Sequence, residues 1–214
     1  MAGTITAIRV QKKNPKRANL YLDDKFALGL SINTVQDWGL RRGMTLSDAD
    51  LEALRRDERK QRAYTDALRL LNYRPRSVAE VRRRLRKRDY EEEQIEAVLS
   101  RLQEVGLLDD RAFARLWVEN RRLNSPRGRR GLAAELRKKG VSSQVINEVL
   151  DETEGEWDEA AQALELARGR ARALAGLERR VFFRRLQGFL ARRGFASDIV
   201  FQVVRQVWEE SNNT

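Results

Sequence analysis

The chain contains no cysteine and no histidine among its 214 residues. Those absences exclude disulfides, thiolate nucleophiles and Cys/His zinc sites, and they remove the side chain that most often exchanges protons near neutral pH. There is no glycine-rich phosphate loop of the P-loop or dinucleotide type, and no serine set in a nucleophile elbow. A protein that is not an enzyme and that holds no cofactor or metal is expected. No run of apolar residues approaches membrane-spanning length, and the opening MAGTITAIRVQKKNPKR lacks the apolar core of a signal peptide. A soluble, cytoplasmic protein is expected.

Positive charge is what the chain has in excess. Its 43 Lys and Arg against 32 Asp and Glu leave a net charge of +11, which points to a polyanion or an acidic protein surface as partner. Charged residues reach 35%, which favours solvated helices, while 41% apolar content suffices for a core, in one domain or in several modules.

The first segment alternates with period two at Ile8 and Val10, at Leu20 and Leu22, and at Phe26, Leu28 and Leu30. Strands are predicted near 4–11, 18–22 and 25–30, with the loop KKNPKR after the first and a tight turn at Asp23-Asp24. So small a sheet needs a helix over its apolar face, and SINTVQDWGL can supply one, with Val35 and Trp38 inward and Gly39 ending it. Lys12, Lys13, Lys16 and Arg17 read as a solvated hairpin tip.

From Ser47, a predicted N-cap, the pattern is helical to the end. Leu51 and Leu54, then Tyr64, Ala67, Leu68 and Leu71, recur at three- and four-residue spacing. Between them RRDERKQR is polar all round, which implies a solvent-bridging helix or a break between modules.

Beyond that point the chain repeats itself. Around Leu85 stand Val81, Tyr90, Ile95 and Val98; around Leu136, Leu132, Val141, Ile146 and Val149; around Leu190, Leu186, Phe195, Val200 and Val203. The reference leucines are 51 and 54 residues apart, so three units of similar size follow one another. The fold predicted is mainly α: a tandem array of three three-helix repeats after a small three-stranded β-rich domain. Its divisions fall at 1–46, 47–110, 111–155 and 156–214. Ser77 with Glu80 forms a predicted capping box for the first unit's second helix, and its third helix stops at Gly106. Asp109 or Asp110 caps the next helix, which carries Phe113, Leu116 and Trp117 inward. Ser125-Pro126 begins the middle unit's second helix, and Gly140 and Gly194 end the last two second helices. Ala163, Leu164 and Ala167 suit close packing in the third unit.

The basic residues take their place in this frame. Arg86-Lys87-Arg88, Arg137-Lys138-Lys139 and Arg192-Arg193 follow the reference leucines, at second-helix C-termini where cations meet the negative end of the helix dipole. The dipole does not account for Arg82, Arg83 and Arg84, nor for Arg127, Arg129 and Arg130 at a helix beginning. These residues, with Arg74, are the candidate contacts to a partner or to DNA. Tyr73-Arg74-Pro75 is either a partner-contact turn or, more simply, a helix connection in which Tyr73 caps the core. Charge is uneven: residues 63–110 carry 10 basic and 10 acidic side chains, residues 111–155 carry 10 and 6.

Three stretches, LNYRPRSVAEVRRRL, VGLLDDRAFARLWVENR and SPRGRRGLAAELRKKGV, resemble the RecX regulatory proteins, bacterial modulators of the recombinase RecA. The resemblance covers roughly residues 64–151. The third repeat is more divergent, and the N-terminal sheet resembles an extension found in only some members. The resemblance implies a non-enzymatic protein that binds RecA and its filament on single-stranded DNA, and a monomer is expected. It would lie in the filament groove and inhibit the ATPase, strand-exchange and coprotease activities that serve recombination, DNA repair and the SOS response. Tandem helix-turn-helix-like units binding DNA directly are the alternative, since three helices in such a span also describe a homeodomain. Glu91, Glu92 and Glu93, and Ser197 with Asp198, make poor openings for recognition helices. Weak, sequence-independent, salt-sensitive backbone contact by the second helices stays open.

Overall fold

A computed structural model describes residues 3–212. The chain falls into two compact units: one runs through Pro75 and takes in Val81–Leu108, while the other holds Arg76–Glu80 and the chain from Asp109 on.

The first unit opens with β1 (Gly3–Gln11), β2 (Asn14–Leu22) and β3 (Lys25–Ser31), followed by α1 (Ile32–Asp37) and the short β4 (Thr45–Leu46). The strands form one antiparallel sheet in the order β3-β2-β1-β4. β4 adds a fourth, two-residue strand to the three expected. β2 starts earlier than the alternation suggested, so the KKNPKR loop shrinks to the turn Lys12-Lys13 and places Lys16 and Arg17 in the strand. Arg17 holds that early start, donating to the Gly29 carbonyl at 2.7 Å and pairing with Glu58 at 2.9 Å. Asp23 and Asp24 adopt φ of 47° and 65°, the left-handed pair that a tight hairpin turn requires.

Ile5, Leu20, Leu22 and Leu30 form the buried face of the sheet, with Val35 and Trp38 packed against it. Leu51 and Leu54 complete this core from the start of α2 (Asp48–Tyr73), whose Ser47–Asp50 capping box fixes its beginning. The polar run inside α2 is a bridge, not a break, and one of its residues is buried. Glu58, 5% exposed, accepts from the Ser31 N–H (2.7 Å), the Thr34 hydroxyl (3.1 Å) and Arg62 Nε (2.9 Å). One 26-residue helix therefore seals the sheet with its first half and serves the first repeat with its second. There Ala63 and Ala67 are buried alongside Val81 and Leu85 of α3 (Val78–Arg86) and Ile95 and Val98 of α4 (Glu92–Glu104).

The second unit contains α5 (Asp110–Asn124), α6 (Arg129–Lys138), α7 (Ser143–Glu152), α8 (Glu159–Ala171), α9 (Arg179–Arg192) and α10 (Ser197–Asn212). The residues of the repeat frame form the cores of both repeats here, joined by Ala163 and Ala167 in the last. α5 buries Phe113, Ala114 and Val118; Leu116, expected inward, lies on the opposite flank and is 50% exposed. α6 begins at Arg129 with Gly128 as N-cap, so Pro126 stands in the approach to the helix and not in its first turn. A packing joint sets that start: a Cβ on Gly128 would collide with backbone of Gly194 and Phe195.

Two such joints share one design. At the first, the Ser77 hydroxyl donates to the Lys139 carbonyl (2.6 Å) and accepts from the Glu80 N–H (3.1 Å), while the Asp110 carboxylate accepts from the Val78 N–H (2.8 Å). At the second, the Gly128 N–H donates to the Arg193 carbonyl (3.2 Å) and the Arg129 N–H to Glu159 (3.4 Å). Lys139 and Arg193 both stand three residues after their reference leucine, and Asp110 and Glu159 both open the following repeat's first helix. Asp109, not Asp110, caps α5, which frees Asp110 to reach Val78. Burial pushes the Asp110 and Glu159 carboxyls above their ordinary range, against the pull of those backbone N–H groups.

Candidate functional site

The second helices α3, α6 and α9 have their C-terminal ends rich in cations, and position in the repeat decides what each cation does. Two residues after the reference leucine stand Lys87, Lys138 and Arg192. All three are exposed and form no ion pair among the described residues. One residue further, every cation is engaged. Arg88 pairs with Asp66 at 2.6 Å, and Lys139 lies 3.3 Å from Glu80 and 4.0 Å above the Trp117 ring. Arg193 donates to the Pro126 carbonyl at 3.2 Å and sits 4.9 Å over Phe189. Burial, then the neighbouring Arg127, pulls the Arg193 guanidinium below its usual value. Tyr90, which donates to the same Asp66 carboxylate at 3.0 Å, has its phenol pushed up to about 12, by burial first and then by Asp66.

The remaining candidates divide in the same way. On α3, Arg82 pairs with Glu96 and Arg86 with Glu92, both at 2.8 Å; Arg83 and Arg84 are exposed without an ion pair among the described residues. Around the start of α6, Arg127 pairs with Glu135 at 2.6 Å, and Arg129 pairs with Asp151 and Glu154. Arg130 and Arg137, seven residues apart and so on one face, are exposed and unpaired among the described residues. Arg127 and Arg129 thus hold their own repeat together, so a triple charge reversal of Arg127, Arg129 and Arg130 would disturb the fold. Arg74 is half-buried and donates to the Pro75 carbonyl at 2.9 Å. Tyr73 caps no core: it is 84% exposed. Arg180, Arg184 and Arg185 on α9, absent from the candidates, are exposed and unpaired among the described residues. The repeat frame could have found Arg184, which occupies the place of Arg130, six residues before the reference leucine.

The acidic opening of α4 is exposed, and its carboxylates are paired with cations of its own unit. Glu91 pairs with Arg59 (3.3 Å), Glu93 with Lys60 (3.4 Å) and Glu92 with Arg86, which holds the Glu92 carboxyl below its ordinary range. A helix so capped with carboxylates is poorly suited to a DNA groove. Among the described residues no cluster of acidic side chains could hold a metal ion, and no helix is long and apolar enough to cross a membrane.

Four family models match in chain order. They are the regulatory protein RecX N-terminal domain over residues 3–47 and the first, second and third three-helix domains of RecX over 63–102, 109–150 and 158–204. The chain is 43% identical over 150 residues to the regulatory protein RecX of Streptomyces coelicolor, covering 70% of this chain and 79% of the relative. It is 30% identical over 208 residues to that of Bacillus subtilis, covering 97% and 78%. A crystal structure of regulatory protein RecX aligns with a TM-score of 0.80 at 26% identity, over 95% of this chain and 99% of the other. That of RecX from Lactobacillus salivarius, at 22% identity and a TM-score of 0.63 over 71% and 97%, shares the fold.

Proposed function

This chain belongs to the RecX family of regulatory proteins, and we propose that it acts in the cytoplasm by binding RecA, above all the RecA filament on single-stranded DNA. Membership makes it a regulatory protein and not an enzyme. On this reading it inhibits the filament's ATPase, strand-exchange and coprotease activities, and so restrains recombination, repair and the SOS response. The working modules are residues 1–46, 47–110, 111–155 and 156–214. The cations at the second-helix ends meet acidic recombinase surface or filament phosphates, and bare DNA is bound weakly and without sequence preference.

The observation that carries the reading is the division of labour between adjacent repeat positions. Lys87, Lys138 and Arg192 are left to solvent while Arg88, Lys139 and Arg193 are bound within the fold. The helix dipole alone would favour cations at either position and accounts for no such split. Replacing Lys87, Lys138 and Arg192 together by Gln should cost no more than about 1 kcal/mol per site, leaving the protein folded. Inhibition of RecA's DNA-dependent ATPase should weaken by about tenfold, chiefly through slower association. Equal inhibition by the folded triple variant and the parent would remove these positions from the interface. Replacing Arg88, Lys139 and Arg193 in the same way should lower the melting temperature first.

A further inference from the structure

The solvent face of the N-terminal sheet is built unlike the rest of the first unit. Pairing sets Ala7, Tyr21 and Phe26 side by side across three strands, and Arg9, Asn19 and Gly29 in the neighbouring row. Tyr21 and Phe26 meet edge to face with ring centroids 6.1 Å apart, and the Arg9 guanidinium lies 5.1 Å from the Tyr21 ring centre. Phe26 is 61% exposed on the edge strand β3, beside Tyr21 of the inner strand β2, and the buried Leu20 and Leu22 flank Tyr21 on the other face. In the next row Gln11 donates to Asn19 at 2.7 Å, and the side chains of Gln11, Asn19 and Arg17 gather over Gly29.

A face for a protein partner would extend the apolar surface beyond one ring and the edge of another. Here the rings are bordered by amides, which offer both donors and acceptors, and by cations. Residues 3–31 hold six basic side chains against two acidic ones, and Lys12, Lys13 and Lys25 are exposed at the sheet's ends. Rings stack on bases whatever their identity, amides match base edges, and flanking cations neutralise phosphates. A duplex keeps its base faces stacked within itself, so only an unpaired strand can present them to Phe26. We infer that this sheet face is a stacking platform for single-stranded nucleic acid, with Phe26 and Tyr21 receiving bases and Arg9 and the flanking lysines the backbone. The inference is separate from the recombinase reading and needs no RecA.

The test uses the full-length protein, a fluorescent oligothymidylate of about 15 nucleotides and a duplex of equal length. Anisotropy is read at about 150 mM salt, where binding through phosphates alone is weakened. Phe26→Ala should reduce affinity for the single strand by about tenfold and leave duplex binding unchanged. Phe26→Leu should lose as much, because it keeps apolar area but has no ring, whereas Phe26→Trp should retain binding. The exposure of Phe26 keeps all three variants foldable, and circular dichroism checks that they are. The inference is overturned if the parent shows no binding to the oligonucleotide at this salt, or if Phe26→Ala or Phe26→Leu binds like the parent. Equal loss on both nucleic acids would overturn it as well.

Discussion

Asp89, Gly140 and Gly194 stand at one place in three repeats, four residues after the reference leucine, and all three adopt the left-handed backbone with φ of 58°, 84° and 82°. Conformation alone therefore does not select glycine there, since Asp tolerates the region at moderate cost. Packing does. A Cβ on Gly194 would run into the backbone of Gly131, and one on Gly140 into the methyl of Ala79, because each turn is pressed against the start of the preceding repeat's second helix. Asp89 is exposed. A glycine at this position thus marks a turn that receives a neighbour, and an aspartate marks one with room for a side chain.

The comparison breaks most visibly at Gly194. Gly194→Ala adds left-handed strain to a collision with backbone that cannot step aside, and should cost about 2–4 kcal/mol in denaturant unfolding. Gly140→Ala should cost less, since one close atom, the Ala79 Cβ, stands in the way against three backbone atoms within 3.0 Å at Gly194. Equal costs would mean that strain, and not the joint, dominates at both. A smaller effect of opposite sign is expected at the open turn: Asp89→Gly should raise stability by about 0.5–1 kcal/mol, because the strain relieved exceeds the added freedom of the unfolded chain. A loss on that substitution would show that the Asp89 side chain contributes something glycine cannot.

The finest distinction is in pH. Burial raises the Asp110 carboxyl in the folded state above its unfolded value, so the native protein holds that proton more tightly. Its contribution is complete below the ordinary Asp range and is lost as pH rises through the raised value. Asp110→Asn keeps an oxygen for the Val78 N–H, so unfolding followed from pH 3 upward should lose this one component of the slope and nothing else. A variant whose profile matches the parent's would leave the carboxyl without a part in the joint's energetics.

The repeat frame was legible because burial writes itself into sequence as period: of its positions only Tyr90 stays half-buried, held by its hydroxyl to Asp66. The same reading fails where a residue's partners are far along the chain. Glu58 reads as one charge in a solvated run, yet Ser31, Thr34 and Arg17 make it the polar centre of the first core. Tyr73 resembles a cap on a helix end, but the chain turns away at Arg74 in extended conformation and leaves the ring outside. The basic clusters fall at the ends of the second helices as groups, and sequence alone does not tell their members apart. Lys138 and Lys139 are alike in sequence, and only the joint, which brings Glu80 from 59 residues upstream, tells the solvated lysine from the bound one.

The unbroken α2 has a consequence for how this family can change length. Residues 48–62 fall between the spans matched by the N-terminal and the first three-helix domain models, where a linker would ordinarily absorb insertions. Here that interval is rigid helix, and each inserted residue would turn the sheet by about 100° and carry it about 1.5 Å along the axis. Length in this interval is therefore quantised by angle. Gains or losses near whole turns keep Leu51, Leu54 and Glu58 in phase with the repeat core at Ala63 and Ala67, and other changes would swing the sheet's aromatic face to another side of the molecule's first unit.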